Sequence, residues 1–186
     1  MTAAPGQTVG PFFHLGLPYE GGNELVPPGR AGAIRLHGRV LDGDGVPVPD
    51  AMIEIWQADP AGNVCRVPGS LRRDGWTFTG FGRAATDVDG HYWFSTLEPG
   101  ETRPGRPPFF AVTLFARGLL DRLFTRAYLP DPDVYGADPL LEAVGPERRD
   151  TLVTTRDDQG LVFDIHLQGP RETVFLSFPE HRGVWG

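Results

Sequence analysis

Lysine is missing from this chain of 186 residues, and all 17 of its basic side chains are arginine. Arginine suits fixed ion pairs and two-pronged recognition of carboxylates; a GC-rich coding sequence would give the same bias. Cysteine is scarce as well. Cys65 stands alone, so no disulfide forms within the chain and nothing indicates an oxidising compartment. Long apolar runs are lacking: the longest lies near residues 109–116, far short of the roughly 20 residues a membrane-crossing helix needs. The opening residues, Met1-Thr-Ala-Ala-Pro-Gly6, have neither the basic nor the apolar region of a secretory signal. The expected setting is therefore cytoplasmic, without a membrane. Excess positive charge is lacking too. A formal net charge of −7 argues against nucleic acid as a partner, because phosphate backbones are bound by basic surfaces.

What is present is turn chemistry between short apolar runs. The chain holds 25 glycines and 19 prolines, and they punctuate it rather than form a tract, as turns between many short strands do. Residues 1–33 read as an arm. Pro5, Pro11, Pro18, Pro27 and Pro28 forbid a helix of any length there, while Phe12, Phe13, Leu15 and Leu17 favour packing, on this subunit or on a partner. From residue 34 to 186 the pattern is that of one domain. Ile34, Leu36, Gly38 and Val40 share one face, with Arg35, His37 and Arg39 on the other. Ala51, Ile53 and Ile55 resume the inward face after the turn Asp42-Gly-Asp-Gly45. Residues 60–80 read as loop, and residues 109–116 as a strand apolar on both faces. Residues 123–129 alternate again; Leu161, Phe163, Ile165 and Leu167 form another inward stripe, and residues 173–178 a last strand. Pro146 and Glu147 suit the first turn of a helix over residues 146–153. The fold class is all-β: an antiparallel β-sandwich with an extended N-terminal arm and one or two short helices.

Two segments carry a more specific pattern. The first runs Gly38-x-Val40-x-Asp42-x-x-Gly45-x-Pro47-x-x-Asp50-Ala51-x-x-Glu54-x-Trp56-Gln57-Ala58, and the second runs Thr86-Asp87-x-x-Gly90-x-Tyr92-x-Phe94. Together they resemble the intradiol ring-cleaving dioxygenases, a family of transthyretin-like β-sandwich enzymes that use non-haem ferric iron. Gln7-Thr-Val-Gly-Pro-Phe12, Leu114-Phe-Ala-Arg-Gly118, Thr125-Arg-Ala-Tyr128 and Phe163-Asp-Ile-His-Leu-Gln-Gly169 make the chain similar to the alpha subunits of the two-subunit branch of that family. The likeness spans roughly residues 5–178.

The resemblance also exposes a gap. Catalytic members bind iron through two tyrosines and a His-x-His pair. The matching positions here are Val64, Thr102, Phe109 and Ala111. Val, Phe and Ala offer no lone pair to a metal, and a threonine hydroxyl is a poor substitute for a phenolate. The five histidines, at 14, 37, 91, 166 and 181, contain no pair two residues apart. The resemblance thus implies Fe(III) held by a catalytic beta subunit, in a higher-order hetero-oligomer, and no catalytic or metal-binding residue in this chain. Phe109 and Phe110 would fill the former ligand position with apolar mass.

By the same resemblance, Thr8, Gly10 and Pro11 of the arm enter the partner's pocket; alternatively they form a turn within a packed arm. Arg126 is placed at the pocket edge, where it would attract the carboxylate of a small aromatic substrate, 3,4-dihydroxybenzoate. An ion pair with an aspartate of its own or a partner subunit is the alternative. Arg106 matches a catalytic arginine of the family by position and is expected to be structural here. The competing function is a stand-alone transthyretin-like binding module without oxidative chemistry. Asp87-Val-Asp-Gly90 and Asp42-Gly-Asp-Gly45 lack the remaining ligands of a calcium loop and are explained by turn chemistry.

Overall fold

The computed structural model describes residues 13–66, 74–131, 133, 135 and 138–178. Among these residues, nine strands form two sheets. The strands are β1 (Ala33–Leu41), β2 (Met52–Trp56), β3 (Phe81–Ala85), β4 (His91–Leu97), β5 (Phe109–Phe115), β6 (Leu123–Tyr128), β7 (Thr155–Arg156), β8 (Leu161–Val162) and β9 (Ile165–His166). The first sheet runs β4-β1-β8-β7, with β9 also paired to β1; the second runs β3-β2-β5-β6. Pairing is antiparallel except where β8 and β9 lie parallel to β1.

The two inner faces meet in one core, as the period-2 pattern requires. Leu36, Val40, Phe94, Leu161 and Ile165 come from the first sheet; Ile53, Ile55, Phe110, Val112 and Leu114 come from the second. Gln57, of the Trp-Gln-Ala segment, is 2% exposed and bolts the sheets together. Its amide donates to the Leu97 carbonyl at 2.8 Å, and its oxygen accepts from the Thr96 hydroxyl. A buried amide is tolerated because its polar atoms are paired.

The inward stripe from Leu161 to Leu167 is two short strands rather than one, and Gly38 is the reason. A Cβ at Gly38 would lie 2.0 Å from the Phe163 carbonyl oxygen, so only glycine lets this backbone pass so close. There the Phe163 amide donates to the His37 carbonyl, the Tyr92 hydroxyl donates to the Phe163 carbonyl, and the Asp164 carboxylate accepts from the Arg39 amide. A side chain replaces a rung of the ladder.

The acidic turns behave as turns. Asp42, Asp59, Asp74, Asp87 and Asp157 each accept two backbone amides two to four residues ahead. Three short helices occur among the described residues: α1 (Phe13–Gly16), α2 (Pro139–Val144) and α3 (Pro146–Arg149). The helix expected over residues 146–153 is split into α3 and a 3₁₀ turn, Asp150–Leu152. The strand expected over residues 173–178 is reduced to a single bridge, Phe124 to Leu176. Residues 19–26 lie along the sandwich: Glu24 bridges to Ser95, and Leu25 and Val26 are buried.

Candidate functional site

The outer face of the second sheet carries the residues that the family pattern singles out. Pairing of β5 with β6 sets Phe109 beside Tyr128 and Ala111 beside Arg126; pairing of β2 with β5 sets Trp56 on the other side of Ala111. Phe109 and Ala111, two apart on one strand, therefore point the same way. This is the face a His-x-His pair would present. Thr102 joins them from the loop before β5, and Thr102, Arg103, Arg106, Phe109, Arg126 and Asp138 line a cavity of about 490 Å³ capped by the start of α2. Val64 is not among the lining residues. It lies in the loop after β2, bridges to Ala58 and is half exposed.

The residues at the four family positions, Val64 away from this face among them, do not suit a ferric ion. A methyl, a phenyl and an aliphatic side chain occupy three of the four positions, and one neutral hydroxyl the fourth. Among the described residues no three His, Cys, Asp or Glu side chains come together as a ligand set. Phe110 enters the core, but Phe109 stays partly exposed over a small second cluster of Tyr128, Tyr135, Leu141 and Leu152. Phe109, expected to fill a family ligand position with apolar mass, forms a cavity wall and not solid core.

Arg126 is the charged centre of the site. Its Nη1 donates to the Tyr128 hydroxyl at 3.0 Å and lies 3.7 Å from Asp138 Oδ2; its Cζ stands 4.1 Å from the centre of the Phe109 ring. The ion pair with an aspartate of the same subunit is thus present, through one nitrogen. Tyr128 is fully buried, and burial pushes its pKa up to about 12, so it stays neutral as an acceptor. Asp138 is the N-cap of α2: its Oδ1 accepts the Leu140 and Leu141 amides, and Pro139 follows at the first helical position. Arg106 lines the cavity, and among the described residues no carboxylate forms an ion pair with it or with Arg103. With Arg103, Arg106 and Arg126 against Asp138, the cavity lining carries more positive than negative charge.

Thr8, Gly10 and Pro11 lie outside the described residues. The arm that follows them crosses the same sheet face: the Phe13 ring lies 6.4 Å from that of Phe115, and Arg83 on β3 donates to the Leu17 carbonyl at 2.8 Å. Arg83 also holds Glu54 by two bonds, at 2.6 and 2.9 Å, in a half-buried pair. The arm and Arg126 therefore occupy one face. Asp138-Pro139 is a readable helix start; the approach of its second oxygen to Arg126 had no sequence signal.

No helix among the described residues is long and apolar enough to cross a membrane. The dioxygenase family model (Dioxygenase_C) matches residues 20–169. The protocatechuate 3,4-dioxygenase alpha chain of Burkholderia cepacia is 40% identical over 191 residues, covering 93% of this chain and 96% of its own. The beta chain of the same organism's enzyme is 35% identical over 151 residues, covering 73% of this chain and 64% of its own. Among solved structures, the dioxygenase domain of a carbohydrate-binding fusion protein from Streptomyces sp. SirexAA-E superposes with a TM-score of 0.59 at 25% identity, covering 79% of this chain and 87% of its own. The sandwich, the paired sequence motifs and these relatives agree: the chain belongs to the intradiol ring-cleaving dioxygenase family, on the branch of the protocatechuate 3,4-dioxygenase alpha chains.

Proposed function

We propose that this chain is the alpha subunit of a protocatechuate 3,4-dioxygenase and completes the pocket of an iron-bearing beta subunit. The reaction cleaves 3,4-dihydroxybenzoate between its two hydroxylated carbons and retains both atoms of O₂, giving 3-carboxy-cis,cis-muconate. The carrying observation is the outer face of the second sheet. The positions of the family's metal ligands hold side chains that cannot bind iron, yet Arg126 beside them faces an open, net-positive cavity. Ferric iron is assigned to the partner. This chain's own work is to bind and orient: Arg126 attracts the substrate carboxylate by charge-assisted hydrogen bonds. Residues 1–33 act as the arm, and Thr8, Gly10 and Pro11 line the partner's pocket, where glycine permits close backbone approach and proline fixes chain direction.

The partner covers Trp56, Phe81 and the arm, in an interface on the order of 2,000 Å² or more. The lone Cys65 suits a cytoplasmic complex, and the net-positive cavity suits a small anionic substrate. The near full-length match to alpha chains leaves a stand-alone binding module with no observation in its favour.

The test is iron content and substrate-dependent O₂ uptake of this chain alone and co-expressed with a beta subunit. Activity and one iron per pair are expected only in the co-purified complex. In that complex Arg126→Ala raises KM about tenfold or more, the loss of about 1.4 kcal/mol or more of binding. Iron and turnover in the isolated chain would overturn the assignment.

A further inference from the structure

Arg126 is held on three sides by groups of this chain. The Tyr128 hydroxyl accepts from Nη1, the Phe109 ring lies under the guanidinium, and the Asp138 carboxylate stands 3.7 Å away. Each support is itself fixed. Tyr128 is fully buried at the end of β6, and Asp138 is 5% exposed and tied to the start of α2 through its other oxygen. Among the described residues, Nε and Nη2 of Arg126 have no hydrogen-bond partner. A long arginine on an open surface samples many rotamers, and fixing one on binding costs free energy. Here that ordering is done by the fold before any ligand arrives.

We propose that Tyr128 and Asp138 are positioning residues for Arg126: they hold the guanidinium against Phe109 with part of its fork unengaged, ready for a substrate carboxylate. The inference rests on reading Arg126 as the group that binds that carboxylate. It explains why a tyrosine hydroxyl and an aspartate are kept nearly inaccessible beside an arginine that is 30% exposed. It also gives Asp138 a second task beyond capping a six-residue helix.

For Asp138, a purely electrostatic account and the positioning account make opposite predictions. Removing the negative charge 3.7 Å from Arg126 would strengthen its pull on any anion, whereas loss of positioning weakens it. The experiment uses the assembled two-subunit protein, with O₂ uptake on 3,4-dihydroxybenzoate. Competitive inhibition by 4-hydroxybenzoate and by phenol, which lacks the carboxylate, is measured alongside. Tyr128→Phe removes only the hydroxyl; Asp138→Asn removes the charge and keeps an equally good N-cap. Each is expected to raise KM and the 4-hydroxybenzoate inhibition constant about three- to tenfold, with kcat and the phenol constant unchanged. Unchanged values in both variants, or a lowered KM in Asp138→Asn, overturn the proposal. A parallel loss for phenol points to general damage and overturns it as well. If Tyr128→Phe does not assemble, Asp138→Asn decides alone. Arg126→Ala separates the two levels. If it leaves KM unchanged, the reading of Arg126 itself falls; if it raises KM while the two variants do nothing, only the positioning role falls.

Discussion

The two sheets bury the same kind of inner face and show different outer ones. Inside, Leu36, Phe94 and Leu161 of one sheet meet Ile53, Phe110 and Leu114 of the other, all but fully buried. Outside, the first sheet presents Arg35, His37, Arg39, His91, Trp93 and Ser95. His37 pairs with Asp157 at 3.2 Å, and Arg35 stacks on Trp93. The second sheet presents an aromatic floor of Trp56, Phe81, Phe109, Phe115 and Phe124, crossed by the arm and interrupted by two arginines, each held by a carboxylate of this chain. Packing treats the sheets alike; the proposed function is assigned to the outward positions of one of them. That is the advantage of a period of two: alternate residues are released from the core and available for other uses.

The likeness of the inner faces is tested first, because its effects are largest. Phe94→Ala and Phe110→Ala, one from each sheet and both fully buried, are each expected to cost about 3–5 kcal/mol in denaturant unfolding of the assembled protein. A cost confined to one of them would show that the sheets do not share a core. The contrast of the outer faces comes next. Arg83→Met leaves the Glu54 carboxylate half-buried without its partner and releases the Leu17 carbonyl, at a cost of about 1–3 kcal/mol and with faster proteolysis of the arm. Arg39→Met, on the exposed part of the first sheet, is expected within about 0.5 kcal/mol of the parent. Equal costs would remove the distinction between the faces.

The smallest effect is a pH dependence that belongs to the first sheet. Burial holds His91 and His166 below the ordinary imidazole value of 6.5. The unfolded chain therefore takes up protons first as pH falls. Stability contributed by these neutral rings is complete above pH 6.5 and declines as pH drops below it toward the folded values. His91→Gln and His166→Gln are expected to flatten the unfolding midpoint between pH 7.5 and 5.5. A midpoint that rises on acidification would reverse the assigned sign.

Much of this was legible in the residues. The inward stripes at Leu36, Val40, Ile53, Ile55, Leu161 and Ile165 follow from periodicity, and the acidic turns follow from Asp and Gly at turn positions. The loss of the metal ligands at Val64, Thr102, Phe109 and Ala111 is a matter of side-chain chemistry. Other features were not legible, because each depends on a contact far along the chain. Residues 173–178 have strand-like alternation, yet one bridge to Phe124 is all that geometry leaves them. The Asp138-Pro139 cap is local, but its turn toward Arg126, twelve positions earlier, is not.

Sequence alone therefore settled the sandwich, its inner faces and the family, because local periodicity and turn chemistry act over a few residues and survive without knowledge of the fold. By the family resemblance, it also put Val64, Thr102, Phe109 and Ala111 where catalytic members carry iron ligands. Tertiary structure decided what those positions became. Only the pairing of β5 with β6 and the approach of α2 place Phe109, Tyr128 and Asp138 around Arg126. The open cavity beside Thr102, Arg103 and Arg106 likewise depends on how loops distant in sequence close over one sheet face.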